Sequence, residues 1–500
     1  MRPGTLLRLT LAGTRTDGAR VALTALSAAL ATLAGLAALT VLTVAKPPGH
    51  DWTESAQYTN ALLREPGLRP GVAFALLLLC VPVLGLAGQC ARLGAPGRDR
   101  RLAALRLAGA TPGQVTGLAV AETGVASLLG TGTGLAVFEV GRRLLHRPAA
   151  DGRLPLPTDV HPGPVVVAAV VLGLPLVAAL ASALLLRRVT TTPFGVVRRV
   201  RTKAPWPWPG LLILVALASF AAIRPIGLWY ERRDQAPPDS VVPLLLTLGG
   251  LTAMIGVVSG TGWISYTTGR LLHRHGRGPA ALLAARRLIA DPWAGSRTFA
   301  ALLAALIFGA GVAGVRADFQ AEAELARRTG GGLSDPDFYL GAMDLADLAV
   351  AVAMAIAAGG LLVAVVEGIT SRRRAYAAQV ATGVPRPTIG RALLWAALAP
   401  AVPAIGLALA VGYLLVAGLM PAPSGGGFVQ QVCAADTAGC GTNGGEPRTE
   451  WVPKVTVTPD VPWEQLAWFA AGGLAAVLVT VVAGLLFLRA ATSVEELRAT

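Results

Sequence analysis

Charged residues are scarce in this chain, and their scarcity excludes most classes of soluble protein. Asp, Glu, Lys and Arg make up 14% of the 500 residues, whereas a soluble domain carries about 25%. Hydrophobic residues make up 54%, which excludes intrinsic disorder, because disorder requires low hydrophobicity. Four cysteines are too few for a disulfide-stabilised scaffold. A polytopic membrane protein is the class that these absences leave.

Lysine is rarer still, and this excludes an ATP-hydrolysing site of the usual kind. A phosphate-binding loop ends in Gly-Lys-Ser/Thr, but the three lysines of this chain are followed by Pro47, Ala204 and Val455. No pairing of a nucleophile with a general base is visible either. We therefore expect no catalytic residue and no cofactor on this chain.

Glycine is abundant, but its spacing predicts helix packing and not nucleotide binding. Gly309, Gly311 and Gly314 spell G-x-G-x-x-G, but no strand precedes them, so the context of a dinucleotide site is missing. Small residues let membrane helices approach closely. We interpret the pairs Gly130 with Gly134 and Gly256 with Gly260 in the same way.

Long uncharged stretches predict the fold class. A helix needs roughly 20 apolar residues to cross a bilayer. Nine uncharged windows meet this need, at residues 21–45, 70–91, 160–186, 204–223, 240–269, 298–315, 348–366, 392–419 and 465–488. A tenth, at 114–138, is interrupted by Glu122 alone. The first window exceeds the apolar core of a signal peptide, so we keep it as a span. The prediction is an all-α integral membrane protein with ten transmembrane helices.

The distribution of basic residues predicts the orientation. Of the 43 Lys and Arg residues, 28 lie in the segments that share a side with the N-terminus, and an excess of basic residues marks the cytoplasmic side. Both termini are therefore expected in the cytoplasm. The net charge of +15 is divided among short loops, where it suits anionic membrane lipid and not nucleic acid.

Two parts of the chain resemble each other at a shift of 274 residues. Arg98–Val137 aligns with Arg372–Val411, and each copy is a basic segment followed by a long apolar window. The identical pairs include Arg98 and Arg372, Arg100 and Arg374, Ala104 and Ala378, and Gly109 and Gly383. Gly109 suits a helix end. We expect two parallel four-span units, 1–190 and 281–500, joined by spans five and six in residues 191–280.

An Arg cluster, then small residues and a glycine ahead of a long apolar span, resembles the FtsX-like permease domain. This domain occurs in permeases of the MacB, lipoprotein-releasing and bacitracin-export ABC systems. The resemblance implies that Arg98–Gln114 and Arg372–Thr388 contact an ATP-binding subunit, present in two copies and carrying ATP and Mg²⁺. The implied docking residues are Arg98, Arg100, Arg101, Gly109, Arg372, Arg373, Arg374 and Gly383. The large outer domain of such permeases is missing, because loops 46–69 and 316–347 are short.

Three further residues stand out. Glu122 lies inside a predicted span, where a charge costs on the order of 3 kcal/mol; it is either a structural polar contact or a proton or substrate contact. Cys433 and Cys440 lie in the outer loop 421–463, and an oxidising outer face favours a disulfide between them. We expect no metal site, because that loop has no histidine and two thiolates are too few for zinc.

Together with the apolar spans, the resemblance therefore implies the permease subunit of a bacterial cell-membrane ABC transporter that moves an amphiphilic substrate. Two alternatives stay open. An ion-driven secondary transporter would normally place several ionisable groups near the midplane, where only Glu122 qualifies. A non-transporting signalling protein is disfavoured by the small outer loops.

Overall fold

The computed structural model describes residues 15–45, 55–65, 69–90, 104, 107–190, 204–235, 238, 241–329, 336–370, 372–417, 419, 422–432 and 448–491. Within these ranges the chain is predominantly helical. The helices are α1 (Arg15–Thr43), α2 (Ala61–Arg64), α3 (Arg69–Leu78), α4 (Cys80–Cys90), α5 (Pro112–Leu145), α6 (Pro164–Thr190), α7 (Pro209–Ala221), α8 (Ile223–Glu231), α9 (Val241–His275), α10 (Pro279–Ala290), α11 (Trp293–Thr329), α12 (Pro336–Thr370), α13 (Arg373–Ala381), α14 (Arg386–Val416) and α15 (Trp463–Ala491).

The helices agree with the predicted fold class. In the described part of the chain, eight helical stretches are long and apolar enough to cross a membrane: α1, α5, α7 with α8, α9, α11, α12, α14 and α15. The prediction of an all-α membrane protein is therefore confirmed. The windows 70–91 and 160–186 are helical too, as α3 with α4 and as the 27-residue α6.

The second predicted span is broken, which the hydropathy pattern did not predict. A turn at Leu79 separates α3 from α4. Pro82 lies three residues later, and since proline has no N–H it cannot bond the carbonyl four residues before it. Leu78 therefore lacks its usual helical partner at the point where the helix is interrupted.

The first predicted unit is held together by close contact between α1 and α5. A side chain at Gly130 would collide with the carbonyl oxygen of Ala25, and one at Gly134 would lie 2.9 Å from the Cβ of Thr32. Glycine is thus required where α5 crosses α1. The interpretation of Gly130 and Gly134 as a packing pair is confirmed.

The largest hydrophobic core surrounds α11. Leu302, Leu303 and Leu306 are almost fully buried in it. A methyl group at Gly309 would lie 2.9 Å from Val350 of α12, and one at Gly314 would lie 3.4 Å from Val416 of α14. Helix packing therefore accounts for the G-x-G-x-x-G pattern, as predicted. Gly256 likewise contacts Ile213, so α9 lies against α7.

The two predicted units meet where α4 packs against α11 and α12. A methyl group at Gly85 would lie 2.7 Å from the Cβ of Ala301, and one at Gly360 would lie 3.4 Å from the Cα of Leu86. Small residues therefore bring the backbones together at this seam.

We call the side of the molecule at which α5 and α14 begin the basic face, because the described parts of segments 98–114 and 372–388 lie there. On the opposite face, Tyr58 is fully buried and donates its hydroxyl to Asp159 across two loops. Burial, followed by the hydrogen bond and charge of Asp159, raises the pKa of Tyr58 above its ordinary value. Arg69 lies buried beside Tyr58 and donates to the carbonyls of Leu63, Val44 and Ala45. These contacts tie the two loops together.

The loop 421–463 contains β-structure, which the sequence analysis did not predict. The strands are β1 (Ser424–Gly425), β2 (Phe428–Val432), β3 (Arg448–Val452) and β4 (Val455–Thr456). They form two antiparallel ladders, β1 with β4 and β2 with β3, and Val429 pairs with Trp451. Gly425 packs on Leu325, which anchors the first ladder to the end of α11.

Candidate docking surface on the basic face

Helix α13 is the better described of the two candidate docking segments. It is nine residues long, and Gly383, two residues beyond its last residue, has a φ of +91°. The N–H of Val384 bonds the carbonyl of Gln379, and the N–H of Gly383 bonds that of Val380. This is a Schellman ending, which needs a left-handed residue and therefore favours glycine. The chain then enters α14 directly after Pro385.

Hydrophobic packing fixes α13 to the membrane helices around it. Tyr376 is 8% exposed and forms a small core with Ile369 at the end of α12 and Ile389 at the start of α14. Val380 and Leu485 of α15 pack against the same core. A force on α13 would therefore reach three long helices.

Helix α10 supports α13 from the side. Arg287 donates to the hydroxyl of Tyr376 at 2.7 Å, and Arg372 lies 3.5 Å from the carboxylate of Asp291, just beyond the end of α10. The sequence prediction missed both contacts, because the partners are more than 80 residues apart. The only available signal was the pair Arg286-Arg287 in an amphipathic stretch.

Of the three arginines predicted to dock a partner in this segment, the structure describes the side chain of Arg372 only. Arg372 is the residue immediately before α13 and has the contact with Asp291. Arg373 and Arg374 form the first turn of α13, but their side chains lie outside the described part of the structure. Their role in docking stays a prediction.

The first candidate segment is described only towards its end. Arg98, Arg100 and Arg101 lie outside the described residues. Gly109 is exposed and has a φ of +92°, which matches the φ of Gly383, 274 residues later. Thr111 then caps α5 by accepting a hydrogen bond from the N–H of Gln114. Both segments thus pass through a left-handed glycine shortly before a long helix begins.

Glu122 has a basic partner that the sequence did not predict. Its carboxylate lies 2.7 Å from the guanidinium of Arg20, and the two side chains are 9% and 7% exposed. The pair joins α5 to the first turns of α1. A buried charge requires such a partner, so the contact agrees with the structural interpretation of Glu122. Cys433 and Cys440 lie outside the described residues, and their disulfide stays a prediction.

The helices and the seam between them define a multi-pass helical membrane protein. Residues 72–194 match the family model of the FtsX-like permease C-terminal domain. Over this range the chain is therefore similar to the FtsX-like permease C-terminal domain, and the range includes the first candidate docking segment. No curated protein and no solved structure matches the chain.

Proposed function

We propose that this chain is the membrane subunit of a bacterial ABC transporter and that its basic face docks an ATP-binding partner. Permeases of this family normally work with such a subunit. The observation that carries the proposal is the seating of α13. Its buried Tyr376 packs onto α12 and α14 and is bonded by Arg287 of α10. A segment that is packed in this way moves together with α12 and α14 when a partner displaces it.

The proposed mechanism is mechanical. ATP and Mg²⁺ are held by the partner, and closure of the partner moves α13 and the segment 98–114. Rigid helices with two discrete arrangements carry such a movement across the membrane. In the second unit the path starts at α13, enters α12 and α14 through the core around Tyr376, and reaches α11 through the main core.

We propose that the membrane part consists of ten spans in two four-span units, 1–190 and 281–500, with residues 191–280 as the link. The seam supports this arrangement, since Leu86 meets Gly360, its own counterpart at the 274-residue shift. Ala75 and Ala349, also 274 apart, line one apolar cleft. Contact between equivalent residues is what a twofold arrangement produces. Two docking segments in such an arrangement would accept two copies of the ATP-binding subunit.

We propose that the basic face is cytoplasmic, with both termini on that side, in the cell membrane. An amphiphilic substrate fits this protein best, because the seam between the units is apolar and opens among membrane helices. Lipid around the basic face would be anionic. The identity of the substrate and its direction of movement are not part of the proposal.

Removing the arginines of α13 tests the proposal. We expect the triple variant Arg372→Ala, Arg373→Ala, Arg374→Ala to lose the ATP-binding subunit during purification from membranes, or to keep it with ATP hydrolysis no longer linked to transport. The matched control is Arg143→Ala with Arg147→Ala, two exposed arginines near the opposite face. Equal ATPase recovery and coupling in both variants would contradict the docking assignment.

A further inference from the structure

Helices α9 and α10 form a tight antiparallel hairpin. Three glycines, spaced seven residues apart, lie in the second half of α9 and directly after it. They contact the segment that contains α10, and the order of the contacts is reversed, as an antiparallel pair requires. Side chains at Gly262, Gly269 and Gly276 would lie 2.9, 2.9 and 3.0 Å from Trp293, Leu288 and Ala281 respectively. The apolar face of α10 is buried in this contact and against α14. The direction of the hairpin is therefore fixed along its whole length.

The hairpin extends beyond the membrane surface on the basic face. At its base the ring of Trp293 packs against Gly262, which precedes Trp263 in α9, and tryptophan is enriched at the level of the lipid headgroups. Helix α10 has 12 residues and extends about 18 Å away from this tryptophan level. The headgroup layer is only about 5–8 Å thick. The turn at Gly276–Gly278 therefore reaches past the headgroups.

The hairpin also reaches further than α13. Arg287, which bonds Tyr376 of α13, lies eight residues from Pro279 at the start of α10, a distance of about 12 Å along a helix. A protein that sits on α13 would therefore have the end of the hairpin beside it.

The surface of the hairpin is basic and partly apolar. Residues 240–290 contain no Asp or Glu. Arg274, Arg277 and Arg286 are exposed. No carboxylate of the described residues pairs with these three arginines. Leucines are exposed among them: Leu271 at 61%, Leu282 at 42% and Leu283 at 37%. Exposed leucines beside unpaired arginines fit a contact with an acidic protein surface.

We propose that the α9–α10 hairpin is a second docking element, which binds an acidic surface of the same ATP-binding subunit through Arg274 and Arg277. The inference rests on the proposed function, because α13 sets where that subunit sits. The end of the hairpin lies beyond the lipid headgroups, which favours a protein over lipid as its partner. Because the hairpin contacts α13, it would distinguish the partner copy on α13 from the copy on segment 98–114.

Charge reversal of the full-length chain tests this inference. The probe is the ATP-binding subunit that co-purifies with the wild-type chain, titrated against the permease in nanodiscs of neutral lipid. Arg274→Glu with Arg277→Glu should weaken binding at least tenfold in low salt and reduce the dependence of affinity on salt. The matched control, Arg143→Glu with Arg147→Glu, should change affinity less than twofold. Unchanged melting temperatures show that both variants are folded.

The outcomes separate the inference from the proposed function. If removal of the α13 arginines abolishes binding while the hairpin reversal leaves affinity unchanged, the hairpin is not a docking element and the proposed function stands. If the reversal changes affinity only in nanodiscs that contain phosphatidylglycerol, the hairpin binds lipid and the inference is wrong. If the wild-type chain recruits no ATP-binding subunit, both proposals fail.

Discussion

Gly360 of α12 lies against the backbone of Leu86 of α4, and the two residues are 274 positions apart. The same interval separates Gly109 from Gly383, which share a left-handed backbone. Two parts of a chain related by one constant shift would meet in this way at a twofold axis. The proposed arrangement of two units would account for both the seam and the two basic segments.

The seam predicts a specific disulfide. In a background without the native cysteines, Leu86→Cys with Gly360→Cys should crosslink readily on mild oxidation, because the backbones approach within the range that a disulfide spans. Leu86→Cys with Gly359→Cys is the matched control, since a side chain at Gly359 would meet nothing within 4 Å. Crosslinking is read as a mobility shift on a gel after cleavage between the units. Equal yields from both pairs would argue against the seam.

The ion pair between Arg20 and Glu122 predicts a large loss of stability when one partner is removed. Glu122→Ala or Arg20→Ala leaves one buried charge unpaired, and such a loss costs about 3–5 kcal/mol. The double variant should recover much of this, and thermal unfolding in detergent measures it. Glu324→Ala is the control, because Glu324 pairs with Arg327 on an exposed surface and should leave the melting temperature unchanged.

A second variant of Glu122 distinguishes its structural interpretation from its role in transport. Glu122→Gln removes the titratable group and keeps the shape of the side chain. If Glu122 is a structural contact, transport at saturating substrate should keep its dependence on pH. A transport rate that no longer varies with pH in this variant would assign Glu122 a role in proton or substrate movement.

The burial of Tyr58 predicts that this tyrosine ionises at a higher pH than an exposed tyrosine does. Because burial raises the pKa of this phenol above its ordinary value of 10.0, folding stabilises the neutral form. That contribution is complete below about pH 10 and is lost as the pH rises through the raised value. Absorbance at the tyrosinate band should show one of the six tyrosines titrating above the others, and Tyr58→Phe should remove that step. Persistence of the late step in Tyr58→Phe would show that another tyrosine causes it.

The two left-handed glycines predict paired sensitivity. Gly109→Ala and Gly383→Ala should each destabilise the protein by roughly 1–2 kcal/mol, because a Cβ disfavours positive φ. Gly113→Ala, near the start of α5 and with open space around it, is the control and should be neutral or slightly stabilising. Thermal unfolding compares the three. A neutral Gly383→Ala would contradict the Schellman ending of α13.

The sequence predicted the long helices well, because an uncharged run of 20 residues has few other stable environments. It predicted their interruptions less well, as the break at Leu79 shows. Pro82 was visible, but Pro175 lies inside α6 without ending it. The strands between Ser424 and Thr456 were missed, since their short alternating pattern stands in a loop rich in glycine.

The candidate site was predictable only in its local features. The left-handed conformation of Gly109 and Gly383 follows from neighbouring residues. The contacts Arg20–Glu122 and Arg287–Tyr376 join residues 102 and 89 positions apart, so they depend on the way the helices pack. One sequence contains no measure of that packing.

The central claim is that both Arg-rich segments face the cytosol and dock the same ATP-binding subunit. Its most direct test is a photo-crosslinking amino acid placed at position 101 or at position 373 in living cells. The account predicts that both positions crosslink to one ATP-binding protein. Crosslinks from the two positions to proteins on opposite sides of the membrane would contradict it.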